Sequence, residues 1–295
     1  MGSSPQVRFE KPNEFFLWWL NVRKRGANMS ENHQESFSYG WCGKILKVDL
    51  SSAVMTEIDT RPYADRFLGG RGIATRLYWE YVPDNAKAFD PENHLIFMTG
   101  PLTATGAQGA SRFEVVGKSP MLMPEGFCYG NMGSHWGPSL KRAGFDGLIV
   151  SGKAIRPVYL FISEDNARIE DAGSIHLEGV NRTLAYLIQK HGKKTHSITT
   201  GPAGMNLCRN ANLMTDDEGS TTGGFGAVFG AKNLKAIAVI GNNAPMVSDP
   251  VALNELNRLT IKLNKRDTAF NPYPPDQISR TGKAPCFQCG LDCIM

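Results

Sequence analysis

The sequence predicts an α+β fold: a base domain of two pseudo-symmetric halves with antiparallel sheets and short helices, followed by the start of a helical domain. Three observations predict it. Short apolar runs separated by turn-forming clusters read as strands. Apolar residues at helical spacing flank Gly69-Gly70-Arg71-Gly72, where backbone freedom replaces side chains. A unit of glycine loop, helix and strand occurs twice, the mark of a duplicated half.

The regular pattern begins at Gly43. Lys44-Ile45-Leu46-Lys47-Val48-Asp49-Leu50 alternates as a strand, and residues 55–60 follow a Ser51-Ser52 turn, so the two form a hairpin. Helical spacing over 62–68 and 73–82 predicts helices on either side of the glycines, and strands follow at 95–98, 113–116, 148–150, 158–162 and 198–199. In the first copy of the repeated unit, Gly133-x-x-x-Gly137 opens a helix through Leu140-Lys141, ahead of the strand at 147–152. In the second, Gly226-x-x-x-Gly230 leads through Leu234-Lys235 into the strand at 236–241. A last helix over 250–265 precedes Asn271-Pro272-Tyr273-Pro274-Pro275, a stiff extended linker. The expected divisions are a poorly structured extension at 1–38, a base domain at 39–245, and the start of a helical domain at 246–295.

Composition excludes several classes of function. The 295 residues carry 32 basic and 28 acidic side chains, a net charge of only +4, without the basic run that a phosphate-tracking groove needs, so nucleic acid is not an expected partner. Phe15-Phe16-Leu17-Trp18-Trp19-Leu20 is the longest apolar stretch and falls far short of the roughly 20 residues that span a bilayer. Arg23-Lys24-Arg25 follows it, the wrong order for a secretory signal, and a cytoplasmic location is expected. Within 1–38, Met29 is an alternative start, and a short amphipathic docking element is the other reading of that segment.

Chemistry concentrates in the cysteines and the glycine loops. Cys42, Cys128 and Cys208 are scattered, whereas Cys286-x-x-Cys289-x-x-x-Cys293 lets one loop wrap a single metal cluster. A four-iron cluster needs four ligands, so the fourth comes from Cys42, Cys128, Cys208 or a residue beyond Met295. A zinc site, for which paired C-x-x-C knuckles are usual, and three structural thiols are the competing readings. Gly130-Asn131-Met132-Gly133 and Gly219-Ser220-Thr221-Thr222-Gly223-Gly224-Phe225-Gly226 each precede a helix, whose free N–H groups attract phosphate; tight turns with close packing are the alternative. Arg112 opens a strand after a small-residue loop and reads either as an inward-aimed anion fork or as a surface arginine. His135, Trp136, Asp216, Asp217 and Glu218 read as solvated or packing residues, and no catalytic set of side chains is legible.

The order of these pieces carries a resemblance. Gly43-Lys44-Ile45-Leu46-Lys47-Val48-Asp49-Leu50, Leu68-Gly69-Gly70-Arg71-Gly72, Pro91-Glu92-Asn93-His94-Leu95-Ile96, Thr99-Gly100-Pro101-Leu102-Thr103, Lys118-Ser119-Pro120, Gly201-Pro202-Ala203-Gly204-Met205-Asn206 and the run Gly226-Ala227-Val228-Phe229-Gly230-Ala231-Lys232-Asn233-Leu234-Lys235 stand in sequence. Together they resemble the amino-terminal domain of the aldehyde:ferredoxin oxidoreductase family.

The resemblance implies a metal, tungsten or molybdenum, held by two pterins, with Mg2+ bridging the pterin phosphates and a [4Fe-4S] cluster close by. It implies that aldehydes or related acyl substrates are interconverted with carboxylic acids, and that ferredoxin or an electron-transfer subunit takes the electrons. Carried over residue by residue, it places Arg112 between pterin and cluster, Asn131 at the magnesium, Gly133 in the same contact loop, and Cys286, Cys289 and Cys293 on the cluster. The second phosphate loop of the family commonly reads Arg-Ala-Ala-Gly-Arg-Gly-Gly, and here both arginines are missing from Glu218-Gly219-Ser220-Thr221-Thr222-Gly223-Gly224. That leaves the Gly219 backbone and the Thr221 and Thr222 hydroxyls as the cofactor contacts. The rival reading is a truncated, non-catalytic cofactor-binding fragment or a subunit that needs another chain.

Overall fold

The computed structural model describes residues 39–264, apart from 165 and 218. The expected extension at 1–38, the linker at 271–275 and the cysteine cluster lie outside the described residues. Two six-stranded sheets hold the rest together.

The first half runs β1 (Lys44–Asp49), β2 (Val54–Asp59), α1 (Arg61–Phe67), α2 (Gly70–Tyr81), β3 (Leu95–Met98), β4 (Phe113–Ser119), β5 (Gly126–Met132), α3 (Trp136–Arg142) and β6 (Gly147–Ser151). Its sheet order is β2-β1-β6-β3-β4-β5. The second half runs β7 (Val158–Ser163), β8 (Asn166–Asp171), α4 (Val180–His191), β9 (His196–Thr199), α5 (Pro202–Met205), β10 (Leu213–Thr215), β11 (Ser220–Thr221), α6 (Phe225–Ala231) and β12 (Leu234–Ile240). Its sheet order is β8-β7-β12-β9-β10-β11, the same path repeated. The helix α7 (Pro250–Asn264) follows.

Two expectations are refined. The sheets are mixed: pairing is antiparallel except that the last strand of each half lies parallel to the first, β6 on β1 and β12 on β7. The repeat is present but set in a different register. Trp136 and Phe225, the first residues of α3 and α6, each stand eleven residues ahead of the strand residue, Gly147 or Ala236, that pairs with the first strand of its half. Gly137 therefore corresponds to Gly226, and the matched Gly-x-x-x-Gly spacings are offset.

Both faces of each sheet are covered, which explains why central strands such as Leu95–Met98 and Leu234–Ile240 are nearly continuous apolar runs. Alternate residues Leu46, Val48, Phe97, Leu148 and Val150 from one sheet, and Leu160, Ile162, Ile237 and Val239 from the other, meet in a shared core with Trp136, Phe225 and Phe229. Ile45, Ile96, Met98 and Ile149 face outward under Ile73, Ala74 and Leu77 of α2. Tyr159, Phe161, Ala236 and Ala238 do the same under Leu187 of α4. The Trp136 indole N–H donates to the Ile237 carbonyl at 3.1 Å, a bond from one half into the other.

Candidate functional site

Pairing of β4 with β5 sets Glu114 opposite Asn131 and Phe113 opposite Met132, which puts Arg112 at the free end of the pair. The Arg112 guanidinium donates through Nη2 to the Asn131 carbonyl at 2.9 Å and through Nε to its side-chain Oδ1. Asn131 Nδ2 donates in turn to Glu114 Oε1 at 2.8 Å, and Arg71 Nη2 lies 3.3 Å from the same oxygen. Arg71 also stacks 3.7 Å over the Tyr129 ring. The loop ahead of Arg112 is tied to α7, where Asn257 accepts from the Gln108 N–H and donates to the Gly106 carbonyl. Arg112 itself is exposed.

Glu114 is buried at 7% exposure, and its Oε2 has no hydrogen-bond partner among the described residues. A buried carboxylate oxygen left unsatisfied is costly, and it marks a position that a donor would stabilise. Sequence reasoning passed over Glu114, although a lone carboxylate in the otherwise apolar run Phe113-Glu114-Val115-Val116 is the signal that finds it.

The two glycine loops meet. Gly130-Asn131-Met132 belongs to the edge strand β5, so this stretch is strand where a loop was expected, and it faces β11 of the other half. A Cβ on Gly130 would fall 1.5 Å from Thr221 Oγ1, and one on Gly219 would fall 2.2 Å from the Gly133 carbonyl oxygen. Only glycine permits this approach. Thr221 is buried and donates to the Thr222 carbonyl at 3.2 Å, whereas Thr222 is exposed and Gly219 half-buried. The cations at this junction, Arg112 and Arg71, both come from the first half; residues 219–224 contribute none.

A second link joins the halves nearby. Asp217 Oδ2 accepts from the His135 N–H at 2.8 Å and lies 2.7 Å from His135 Nδ1. The hydrogen bond to Asp217 pushes the His135 pKa up, against the effect of burial. For Asp217 burial pushes upward, but the bonds from His135 and Thr215 outweigh it and hold the carboxyl low. Read from sequence as solvated or packing residues, His135 and Asp217 act here as a clamp between halves.

Cys42 and Cys128 are partly buried and Cys208 is exposed. Cys42 Sγ donates to the Lys141 carbonyl at 3.1 Å. Among the described residues no group of three His, Cys, Asp or Glu side chains is placed to hold a metal ion. No helix among them is long and apolar enough to cross a membrane.

Comparison with known proteins places this architecture. The profile of the family described as "Aldehyde ferredoxin oxidoreductase, N-terminal domain" matches residues 45–241. The tungsten-containing aldehyde ferredoxin oxidoreductase of Pyrococcus horikoshii is 38% identical over 233 residues, covering 78% of this chain and 38% of that protein. The "Aliphatic sulfonate oxidoreductase, WOR-like subunit" of Pyrococcus furiosus is 35% identical over 242 residues, covering 75% of this chain and 38% of that protein. Among solved structures, the active site complex BamBC of benzoyl coenzyme A reductase with 1,5 dienoyl-CoA aligns with a TM-score of 0.72 and 31% identity, covering 83% of this chain and 37% of that chain. The chain thus spans little more than a third of the length of the relatives it matches. It belongs to the aldehyde ferredoxin oxidoreductase family, whose N-terminal domain it contains.

Proposed function

We propose that this chain is the cofactor-binding amino-terminal part of a tungsten- or molybdenum-pterin oxidoreductase that interconverts aldehydes, or related acyl substrates, with carboxylic acids. The observation that carries the reading is the exposed Arg112 guanidinium, held by Asn131 beside the unsatisfied Glu114 carboxylate at the meeting line of the halves. The identity to tungsten-containing relatives supports it. The donor set fits an anionic, hydrogen-bonding group: Arg112 offers a planar fork to phosphate or pterin oxygen, and Glu114 offers an acceptor to a ring N–H.

In this reading Arg112, Asn131 and Gly133 hold the cofactor from the first half, and Gly219, Thr221 and Thr222 from the second. Thr221 shapes the junction through its contact with Gly130, while the exposed Thr222 leaves its hydroxyl accessible to a ligand. Without arginines in the second loop, Mg2+ would supply the neutralising charge that the loop lacks. When bound, the metal and pterins supply the two-electron exchange with the substrate. Oxidation of an aldehyde to the undissociated acid takes up one water and releases two protons and two electrons. Cys286, Cys289 and Cys293 would hold a [4Fe-4S] cluster, which would supply single-electron exchange with ferredoxin or a partner subunit.

The test is elemental analysis and pterin assay of anaerobically purified protein, in wild type and Arg112→Ala. Tungsten or molybdenum with pterin in the wild type, and a loss of about tenfold in both in the variant, is the expected result. Zinc alone, or pterin content indifferent to Arg112, would overturn the reading. A second reading, a fragment or subunit that needs another chain for catalysis, is favoured by the relative that is itself named as a subunit.

A further inference from the structure

The junction of α3 with the second sheet leaves a cleft of about 440 Å3, lined by His135, Ser139, Arg142, Lys193, Lys194, His196 and their neighbours. It shares no lining residue with the Arg112–Asn131 set. The His135 and His196 rings stack at 5.2 Å between centroids, 16° from parallel, and form one wall. His196 Nδ1 lies 2.7 Å from Asp216 Oδ2, as His135 Nδ1 does from Asp217. Those two carboxylates are turned to the histidines and do not line the cleft. Lys193 and Lys194 bring two exposed ammonium groups to the cleft, and no carboxylate is among its lining residues. Each Nδ1–carboxylate contact fixes its ring, so that His196 presents Nε2 to the cleft.

The corresponding place in the other half is closed. There the backbone makes a similar contact one residue further along the helix end, Ala154 N–H to the Lys232 carbonyl at 3.0 Å, against Asn243 N–H to the Arg142 carbonyl at 3.1 Å. Lys232 fills that seam, donating Nζ to the Pro91 and Gly152 carbonyls at 3.0 and 3.1 Å. One seam is thus sealed by an internal ammonium, and the other is open and lined with cations.

We propose that the open seam binds a small dianion of phosphate geometry, inorganic phosphate or a phosphate monoester, between Lys193, Lys194 and His196. Tetrahedral oxygens accept from both ammonium groups and, when His196 is an imidazolium, from its Nε2–H as well, a charge-assisted set that a chloride ion cannot satisfy.

The experiment titrates the 295-residue chain with inorganic phosphate, and separately with phenyl phosphate, at constant ionic strength, following the histidine ring signals by NMR and the heat by calorimetry. Saturable binding that moves the His135 and His196 ring signals is expected, weakened about tenfold or more in the Lys193→Gln/Lys194→Gln double variant. Tighter binding of phenyl phosphate assigns a monoester, and equal or weaker binding assigns phosphate itself. Both lysines are exposed, so the double variant should melt as the wild type does. Absence of saturation, affinity unchanged by the double variant, or acetate competing as well as phosphate would overturn the proposal.

Discussion

In the first half, the Lys141 ammonium donates to the Gly100 carbonyl, just past β3, at 2.7 Å and sits 3.3 Å from the buried carboxylate of Asp146. In the second half, Lys235 donates to the Thr200 carbonyl, just past β9, at 2.6 Å and to the Glu178 carbonyl at 2.7 Å, and no carboxylate joins it in an ion pair among the described residues. An ammonium thus caps a carbonyl just past the matching strand in both halves, one residue further along in the first, but only Lys141 has a carboxylate in ion-pair contact among the described residues. Asp146 does more than pair: it accepts from the Cys42 and Gly43 N–H groups at 2.9 and 2.8 Å and from the Thr60 hydroxyl at 2.9 Å. The difference teaches that the duplicated backbone tolerates two electrostatic solutions. Burial lowers the pKa of both lysines, but one sits in a paired network that fails if a member is removed, and the other is held by backbone carbonyls alone.

The comparison breaks most visibly at Asp146. Asp146→Ala should cost about 3–5 kcal/mol, because it strands Lys141 and leaves two amides unsatisfied. Urea unfolding measures this, and a loss below about 1 kcal/mol would mean the pair is not the prop described.

A pH series sharpens the contrast. Burial lowers the Lys232 pKa to about 7 and the Lys235 pKa to about 8. A lysine whose folded pKa lies below its unfolded value binds its proton more readily unfolded, so the penalty is fully present below the folded pKa and lifts as pH rises. From pH 7 to 9, wild type should gain on the order of 2 kcal/mol relative to Lys232→Met. A flat difference across that range would show that Lys232 stays charged.

The smallest effect is expected at Lys235. Lys235→Met removes an uncompensated buried cation along with its two hydrogen bonds, and the opposing terms should leave a change of about 1 kcal/mol, far below that of Asp146→Ala. Equal losses for the two variants would erase the distinction between the halves.

The central strands were legible because burial on both faces writes itself as apolar runs, and β1 with β2 because alternation and a turn sit side by side. The strands β8 and β11 were not: Asn166–Asp171 is a polar edge and Ser220–Thr221 is two residues long, so neither carries a period. β5 was hidden by its glycines, which are there to admit the other half and not to make a turn. The helix α4 does carry its signal, in Val180, Leu184 and Leu187, and went unread. At the site, Arg112 and Asn131 stood out through resemblance. Glu114 and the His135–Asp217 link become meaningful only once cross-strand register and the packing of the halves are known.

The first and last strands of each half lie side by side, so each half is closed on itself before it meets the other. Two such units in reciprocal contact have the layout of a homodimer, and here a connection of six residues, 152–157, joins them in one chain. That tether replaces a bimolecular equilibrium with an effective concentration that dilution cannot lower. The close seating of Gly130 on Thr221 therefore persists at any protein concentration, and a cofactor held as proposed would meet both walls already assembled.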